Sequence, residues 1–232
     1  MNSRTEALIG KFAMDILKER KVFIFGIGGV GGYVAEALAR SGVGTIAMAD
    51  FDVVEESNKN RQIIALSTTI GENKAEAMAA RIRTINEETA VKYLPEKVDE
   101  NMLKFLKIES YDYIIDCVDD VAAKTAIIKC ARENKIPAIS CMGTGNKIHP
   151  EMLKVADIKD TKGCPLAKAV RKSLREVGIE EGVKAVFSEE EPMTAGIEDE
   201  NGKVRPASAV FVPAAAGILI AAEVFREMAY LD

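Results

Sequence analysis

Short apolar runs alternate with helical patterns along most of the chain. Residues 21–25 and 45–49 are runs of mainly apolar and β-branched side chains, which are typical of strands buried on both faces of a parallel sheet. Between such runs, apolar positions recur with the 3.6-residue period of amphipathic helices. Further strands are predicted at 90–94, 111–115, 136–140, 153–157 and 183–187. The alternation predicts an α/β fold with a Rossmann-like, mostly parallel sheet and flanking helices.

The segments at the two ends of the chain complete the predicted elements. An apolar stripe predicts one helix from Thr5 to Lys18, and the proline at 165 predicts the start of another helix. Residues 189–192 and 196–206 are predicted to form a polar crossover, followed by a helix of small and apolar residues that ends near Met228. We predict one domain over 1–232, with a nucleotide-binding core at about 20–145 and a substrate or dimer extension at about 150–232.

Composition limits the class of protein. The chain has 232 residues, of which 48% are hydrophobic and 29% charged, which suits one large domain with a sizeable core. Its net charge of −5 provides no overall basic field for nucleic acid or membranes, although a local basic patch could still bind them. With no transmembrane-length apolar run and no signal-peptide core, a cytoplasmic protein is expected. The four cysteines form no CxxC pair, so neither disulfides nor a structural zinc is expected.

A glycine-rich turn follows the first predicted strand and leads into a helix. Glycines in such a loop allow a tight turn and a close approach to phosphate, and the free N–H groups of the helix attract anions. The loop consists of Gly26, Gly28, Gly29, Gly31 and Gly32, with Ile27 and Val30 between them. The second strand delivers Asp50 and Asp52 to its end, where a carboxylate can accept hydrogen bonds from a ribose. This pattern predicts a nucleotide site, most commonly that of a dehydrogenase.

The loop after the second strand favours phosphates over a nicotinamide ring. It carries Ser57, Asn58, Asn60 and Arg61, which suit charged phosphate groups. An NAD-dependent oxidoreductase also lacks an obvious proton donor, since His149 is the only histidine and lies in no site motif. A nucleotide sensor without catalysis is a further alternative.

Four linked motifs resemble those of the ubiquitin-activating superfamily with its bacterial members MoeB, ThiF and HesA. They are the glycine loop, the Asp50–Asp52 pair, the segment 57–62 (SNKNRQ) and the turn 71–74 (GENK). Within it, the chain resembles the tRNA threonylcarbamoyladenosine dehydratase family (TcdA or CsdL) over nearly its entire length, including RTEALIG at 4–10, NKIP at 134–137 and CPLAK at 164–168. A DxxDNxxxR pattern of the superfamily is altered, with Asp120 and Lys124 in place of the amide and the arginine.

The resemblance implies an ATP-dependent cyclisation of the threonylcarbamoyl side chain on adenosine 37 of tRNA. ATP would activate the carboxylate, and an internal nucleophile would close the ring with net loss of water. The implied nucleotide-binding residues are the loop glycines together with Asp50, Asp52, Asn58, Arg61 and Lys74. Asp119 would hold Mg²⁺ because carboxylates at strand ends are suitable oxygen ligands. The implied catalytic residues are Arg61, Lys74, Asp119 and Arg4. Arg4 would reach into a partner subunit, and the alternative is an ordinary solvated N-terminal arginine.

The helix after Pro165 has two different faces. Leu166, Val170, Leu174 and Val177 would form its buried stripe, which leaves a set of cations on the other side. A solvated face is the commoner meaning of such a set, but contact with the tRNA phosphate backbone is also plausible. The candidates for tRNA contact are Lys168, Arg171, Lys172 and Arg175.

Partners and alternatives follow from the same resemblance. A strand, a PxxxG segment at 213–217 and a helix lie at the subunit interface in the family, which implies a homodimer, and the family is often linked with cysteine desulfurase components. The alternative function is adenylation of the C-terminal glycine of a ubiquitin-like sulfur carrier, as in MoeB and ThiF. The missing CxxC pairs and the basic face disfavour it, and the acidic net charge mildly favours it. Cys164 precedes a helix and could act as a nucleophile, but the dehydratase pattern does not require a thiol.

Overall fold

The computed structural model describes residues 2–194, 196–198 and 204–231. Its main sheet has seven strands in the order β3-β2-β1-β4-β5-β7-β6. The strands are β1 Lys21–Phe25, β2 Thr45–Ala49, β3 Ala90–Leu94, β4 Tyr113–Asp116, β5 Ala138–Cys141, β6 Leu153–Asp157 and β7 Lys184–Ser188. All neighbours pair in parallel except β6, which is the antiparallel edge strand. The α/β prediction is therefore confirmed.

Eight helices occur in the described ranges besides short 3₁₀ turns. They are α1 Ser3–Ile9, α2 Lys11–Glu19, α3 Gly31–Arg40, α4 Lys74–Ile85, α5 Glu100–Phe105, α6 Val121–Glu133, α7 Pro165–Glu176 and α8 Phe211–Met228. Two short strands, β8 Gly196–Glu198 and β9 Val204–Pro206, pair in antiparallel fashion at the predicted polar crossover. Residues 195 and 199–203 of this crossover lie outside the described residues. No helix within these described ranges has the length and apolar character that a membrane crossing requires.

The alternating side chains of β1 supply both faces of the sheet. Val22 and Ile24 join the cluster that packs beneath α3, α4 and α8, whereas Phe23 and Phe25 join the cluster on the side of α5 and α6. The two phenylalanine rings stack with centroids 4.3 Å apart. Because β2 and β4 flank β1, the strand order reverses here, and ligands of open parallel sheets bind at the carboxyl ends of the strands beside such a reversal.

The single helix predicted from Thr5 to Lys18 is divided at Gly10. This residue adopts a φ of +84°, which ends α1 and lets α2 begin in a new direction. As a result, Leu8 and Phe12 are 82% and 79% exposed, while α2 buries Met14 and Leu17. The periodicity of the sequence continues through the glycine, so it does not reveal the break.

Two predictions for the C-terminal part need correction. The strand expected before Pro213 is absent, since Val210 already has helical φ and ψ angles and α8 begins at Phe211. The predicted stripe of α7 is shifted, because Ala167 is buried with Val170 and Leu174, whereas Leu166 is only half-buried. Val177 is 40% exposed because the helix ends at Glu176.

Candidate nucleotide site

The glycines between β1 and α3 serve different purposes. Gly26 has a φ of +86°, and a Cβ there would lie 2.9 Å from the carbonyl carbon of Cys117. A Cβ on Gly31 would lie 1.9 Å from the carbonyl oxygen of Gly26. A Cβ on Gly29 or Gly32 would meet Pro213 at 3.3 Å or Ile63 at 3.1 Å. Packing therefore explains Gly26 and Gly31 without a ligand, whereas a Cβ on Gly29 or Gly32 would make only tight contacts with side-chain atoms.

Gly28 is different because its surroundings are open. A Cβ added there would have only the Nε2 atom of Gln62 within 4 Å, at a distance of 3.9 Å. Gln62 is itself only 7% exposed, and its Oε1 atom has no hydrogen-bond partner among the described residues. A buried polar group normally has a partner, so this arrangement fits a ligand that approaches the loop at Gly28. The sequence included Gln62 in a motif but did not identify it as a site residue, although its position directly after Arg61 was an available signal.

Asp50 braces the glycine loop from the end of β2. Its Oδ2 atom accepts a hydrogen bond from the Ile27 N–H at 2.6 Å, and its Oδ1 atom accepts one from the Asp52 N–H at 2.9 Å. Burial raises the pKa of Asp50, and the two backbone hydrogen bonds oppose that shift. A carboxylate can accept more than two hydrogen bonds, so Asp50 retains acceptor capacity for a ribose.

Lys74 begins α4 and faces the same strand end. Its Nζ lies 2.9 Å from the Asp52 carboxylate, and the residue is only 7% exposed. The side-chain oxygen of Asn73 caps the helix by accepting hydrogen bonds from the N–H groups of Ala75 and Glu76. Its Nδ2 donates to the Asp50 carbonyl. The first turn of α4 is thereby fixed to the end of β2, and it holds an ammonium group where a phosphate could bind it.

Arg61 lies against the glycine loop. Its Cγ is 3.5 Å from the position of a Cβ on Gly29, and its Nη1 donates to the Ser57 carbonyl at 3.0 Å and to Asn60 Oδ1 at 2.8 Å. The Nε and Nη2 groups donate to no described residue, which leaves them available to phosphate oxygens. Asn58 lies nearby but is buried, and its Oδ1 accepts the Glu55 N–H, so its amide is used within the turn.

Asp119 follows β4 and is exposed, with no hydrogen bond or ion pair in the described part of the chain. It lies beside the glycine loop because the backbone of Cys117 and Val118 packs on Gly26. No cluster of three or more histidine, cysteine or acidic side chains suited to a metal occurs within the described ranges. Magnesium needs no such cluster, since one or two carboxylates plus substrate phosphates usually hold it, so a free Asp119 fits this ion.

The altered DxxD motif contains a buried charge pair that sequence analysis did not identify. Lys124 is fully buried and donates to Asp116 Oδ2 at 3.0 Å, while the Ser140 hydroxyl donates to the same oxygen at 2.5 Å. Asp116 Oδ1 accepts the Val118 N–H, which fixes the segment that leads to Asp119. Asp120 caps α6, since its side chain accepts a hydrogen bond from the Ala123 N–H.

Two sets of predicted residues lie away from this cluster. Arg4 is exposed on α1, and the neighbouring Asn2 packs on Gly42, just beyond the end of α3 opposite the glycine loop. On α7, Lys168, Lys172 and Arg175 are exposed, but Arg171 is half-buried and donates to the Thr161 carbonyl at 2.9 Å. Arg171 therefore differs from the other predicted cations of that face. Cys164 is buried beside the Gly143 carbonyl.

Known proteins resemble this chain over nearly its entire length. The model of the ThiF family matches residues 2–229. The tRNA threonylcarbamoyladenosine dehydratase of Bacillus subtilis (strain 168) is 39% identical over an alignment of 237 positions, which covers 97% of this chain and 93% of that protein. Molybdopterin-synthase adenylyltransferase of Escherichia coli (strain K12) is 32% identical, but over 54% of this chain and 50% of that protein.

Solved structures agree with this comparison. Crystal structures of the E. coli tRNA N6-threonylcarbamoyladenosine dehydratase TcdA in complex with AMP and with ATP superimpose with TM-scores of 0.91 and 0.89. Both are 34% identical to this chain and match 98% of it and 93% of their own chains. The glycine loop, the acidic strand ends and the order of the motifs thus occur in a chain that matches dehydratases from end to end. The chain belongs to the ThiF family, in the branch that contains the tRNA threonylcarbamoyladenosine dehydratases.

Proposed function

We propose that this protein is an ATP-dependent tRNA threonylcarbamoyladenosine dehydratase, which cyclises the modified side chain of adenosine 37. The main support is the open space at Gly28 in the glycine loop, against which Arg61 packs. The buried ammonium group of Lys74 lies near Asp50, the residue that holds this loop by a hydrogen bond from Ile27. Such a site suits an ATP phosphate chain. The full-length match to dehydratases then selects the substrate among the carboxylates that this superfamily activates.

The chemical problem is that a carboxylate is a poor electrophile. Transfer of a phosphate-containing group from ATP to one carboxylate oxygen turns that oxygen into part of a leaving group. An internal nucleophile of the modified base then attacks the carbonyl carbon, and the leaving group departs with the oxygen. One carboxylate oxygen is thereby lost, and together with the substrate's protons this amounts to net removal of one water.

The side chains described above would stabilise charge during this reaction. Arg61 would donate Nε and Nη2 to phosphate oxygens, and Lys74 would exchange its contact with Asp52 for a contact with phosphate. Asp50 and Asp52 would bind the ribose, and Asn58 would keep the turn before Arg61 in shape. Asp119 would hold Mg²⁺, which neutralises phosphate charge when it is bound.

The tRNA would lie along the exposed cations of α7. Lys168, Lys172 and Arg175 can contact phosphates without breaking any described interaction, whereas Arg171 would have to leave Thr161. We also propose a single cytoplasmic domain that works as a homodimer, in which Leu8 and Phe12 are covered and Arg4 acts in the partner's site. Components of a cysteine desulfurase system are proposed as physiological partners.

The test is mass spectrometry of nucleosides from tRNA that carries threonylcarbamoyladenosine, after incubation with the protein, ATP and Mg²⁺. The proposal predicts ATP-dependent loss of one water from that nucleoside. The adjacent residues 119 and 120 give a matched pair of variants. Asp119→Asn should abolish the reaction, whereas Asp120→Asn should retain it because asparagine caps a helix as well as aspartate does.

The same preparation distinguishes the alternative substrate. An unchanged tRNA nucleoside, together with pyrophosphate exchange that a ubiquitin-like carrier stimulates, would replace the dehydratase assignment by carrier adenylation. Binding of ATP with neither reaction would leave a nucleotide-binding module.

A further inference from the structure

Residues 206–210 cross the carboxyl edge of the sheet between β9 and α8, and we call this segment the strap. The Asn146 N–H donates to the Ala207 carbonyl at 2.7 Å, and Asn146 Oδ1 accepts a hydrogen bond from the Ala207 N–H at 2.7 Å. At the next residue of the strap, Asn60 Nδ2 donates to the Ser208 carbonyl at 2.7 Å. Asn146 follows β5 and Asn60 follows β2, so loops from two strands that are not neighbours in the sheet meet at consecutive residues of the strap.

The residues that receive the strap have unusual backbone requirements. A Cβ on Gly145 would lie 2.7 Å from the Cβ of Pro206, so the glycine permits the strap to pack closely. Asn146 has a φ of +60°, a conformation that only glycine adopts freely and that asparagine tolerates better than most residues. This pair therefore combines close approach with a side chain that can bind Ala207.

Asn60 also connects the strap with Arg61. While its Nδ2 binds Ser208, its Oδ1 accepts the hydrogen bond from Arg61 Nη1 at 2.8 Å. The strap leads into α8, whose Pro213 lies 3.3 Å from the position of a Cβ on Gly29. Arg61 packs on the same glycine. The side-chain amide of Asn60 thus links the strap to the Arg61 guanidinium beside the glycine loop.

We propose that Asn60 and Asn146 are positioning residues that hold the strap over the nucleotide site and thereby orient Arg61 toward the phosphates of ATP. The expected change in kcat rests on the proposed function, whereas the expected change in hydrogen exchange requires only that ATP binds. Since ATP would hold Arg61 and Arg61 is joined to the strap, binding of ATP should stabilise the strap. Reciprocity then requires that release of the strap weakens ATP binding by the same factor.

The experiment uses the full chain and two measurements. Hydrogen exchange of the peptide that contains 206–212, with and without ATP, reports the strap without any tRNA. Kinetics of tRNA dehydration report kcat and the KM for ATP. The variants are Asn60→Ala, Asn146→Gly and Asn146→Asp. The glycine variant removes the side-chain anchor and suits the positive φ, and the aspartate variant keeps the Oδ1 acceptor at the same φ.

In the unaltered protein, ATP should slow exchange of the strap by about fivefold. Asn60→Ala should abolish this protection and raise the KM for ATP by about the same fivefold factor. It should also lower kcat on the order of 10-fold because Arg61 loses one acceptor and its orientation. Asn146→Gly, which does not touch Arg61, should accelerate exchange of Ala207 and lower kcat similarly. Asn146→Asp should rescue both measurements.

Several results would overturn the proposal. Equal ATP protection in Asn60→Ala and the unaltered protein would show that Asn60 does not couple strap and nucleotide. Faster exchange in Asn146→Gly with unchanged kcat would show that the strap does not position the site. If the unaltered protein modifies no tRNA but shows the predicted exchange pattern, the proposed function fails while the coupling stands.

Discussion

At the scale of single residues, identical amino acids in one loop have different reasons to be there. A side chain at Gly31 would collide with the Gly26 carbonyl oxygen. Gly28, in contrast, faces open space near the Gln62 amide, whose oxygen has no hydrogen-bond partner among the described residues. The sequence presents both simply as glycines of one motif. Only the surroundings distinguish the glycine that the fold requires from the glycine that a ligand requires.

Substitution of these two glycines should therefore separate folding from binding. Gly31→Ala should destabilise the fold by about 1–3 kcal/mol through overpacking. Gly28→Ala should change the free energy of unfolding by less than about 1 kcal/mol, yet weaken ATP binding by more than about 10-fold, since the new methyl group occupies the phosphate approach. Urea denaturation and equilibrium titration with ATP measure the two effects. Unaltered ATP affinity in Gly28→Ala would contradict the location of the phosphates.

The buried pair of Lys124 and Asp116 should be essential for stability. Lys124→Met leaves the Asp116 carboxylate buried without its cation, which should cost about 3–5 kcal/mol. Lys129→Met changes a lysine of the same helix whose side chain is 43% exposed, and it should cost less than about 0.5 kcal/mol. Chemical denaturation of both variants checks this contrast. Equal stabilities would mean that the pair contributes little beyond its hydrophobic surroundings.

At the scale of elements, local patterns predict the structure well, but they do not predict contacts between distant elements. The strands β1 and β2 and the turn before Lys74 could be predicted because their signals lie within a few residues. The partners of Lys124 come from β4 and β5, and the contacts of the strap join three loops, so no local pattern contains them. The break at Gly10 could not be predicted because an apolar stripe continues on both sides of it.

The exposed face of α7 allows a prediction about tRNA. Alanine at Lys168, Lys172 and Arg175 should weaken tRNA binding. It should also make the plot of the logarithm of the binding constant against the logarithm of the salt concentration less steep, by about one unit of slope for each phosphate contact that is lost. ATP affinity should not change, because α7 contributes no side chain to the glycine loop. Alanine at the exposed Lys104 and Lys107 alters charge elsewhere and serves as the control. Equal weakening by both sets would indicate a general charge effect and no docking on α7.

At the scale of the whole molecule, the order of the strands unites residues that are far apart in the sequence. Because β2, β1, β4 and β5 are parallel neighbours, their carboxyl ends bring Asp50, the glycine loop, Asp119 and Asn146 to one edge. The family pattern included Asp50, the glycine loop and Asp119, but it did not include Asn146, and it did not show how the chain holds these residues. In the proposed reaction, ATP bound at this edge activates a carboxylate of tRNA.

The fate of the carboxylate oxygens shows whether ATP activates the carboxylate. Threonylcarbamoyladenosine in tRNA would be labelled with ¹⁸O in both carboxylate oxygens and converted in one turnover with ATP and Mg²⁺. Activation of the carboxylate by ATP predicts a dehydrated nucleoside that retains one label, with the other label in the AMP or phosphate that is released. A dehydrated nucleoside without label in either phosphate-containing product, or no dehydration at all, would contradict it.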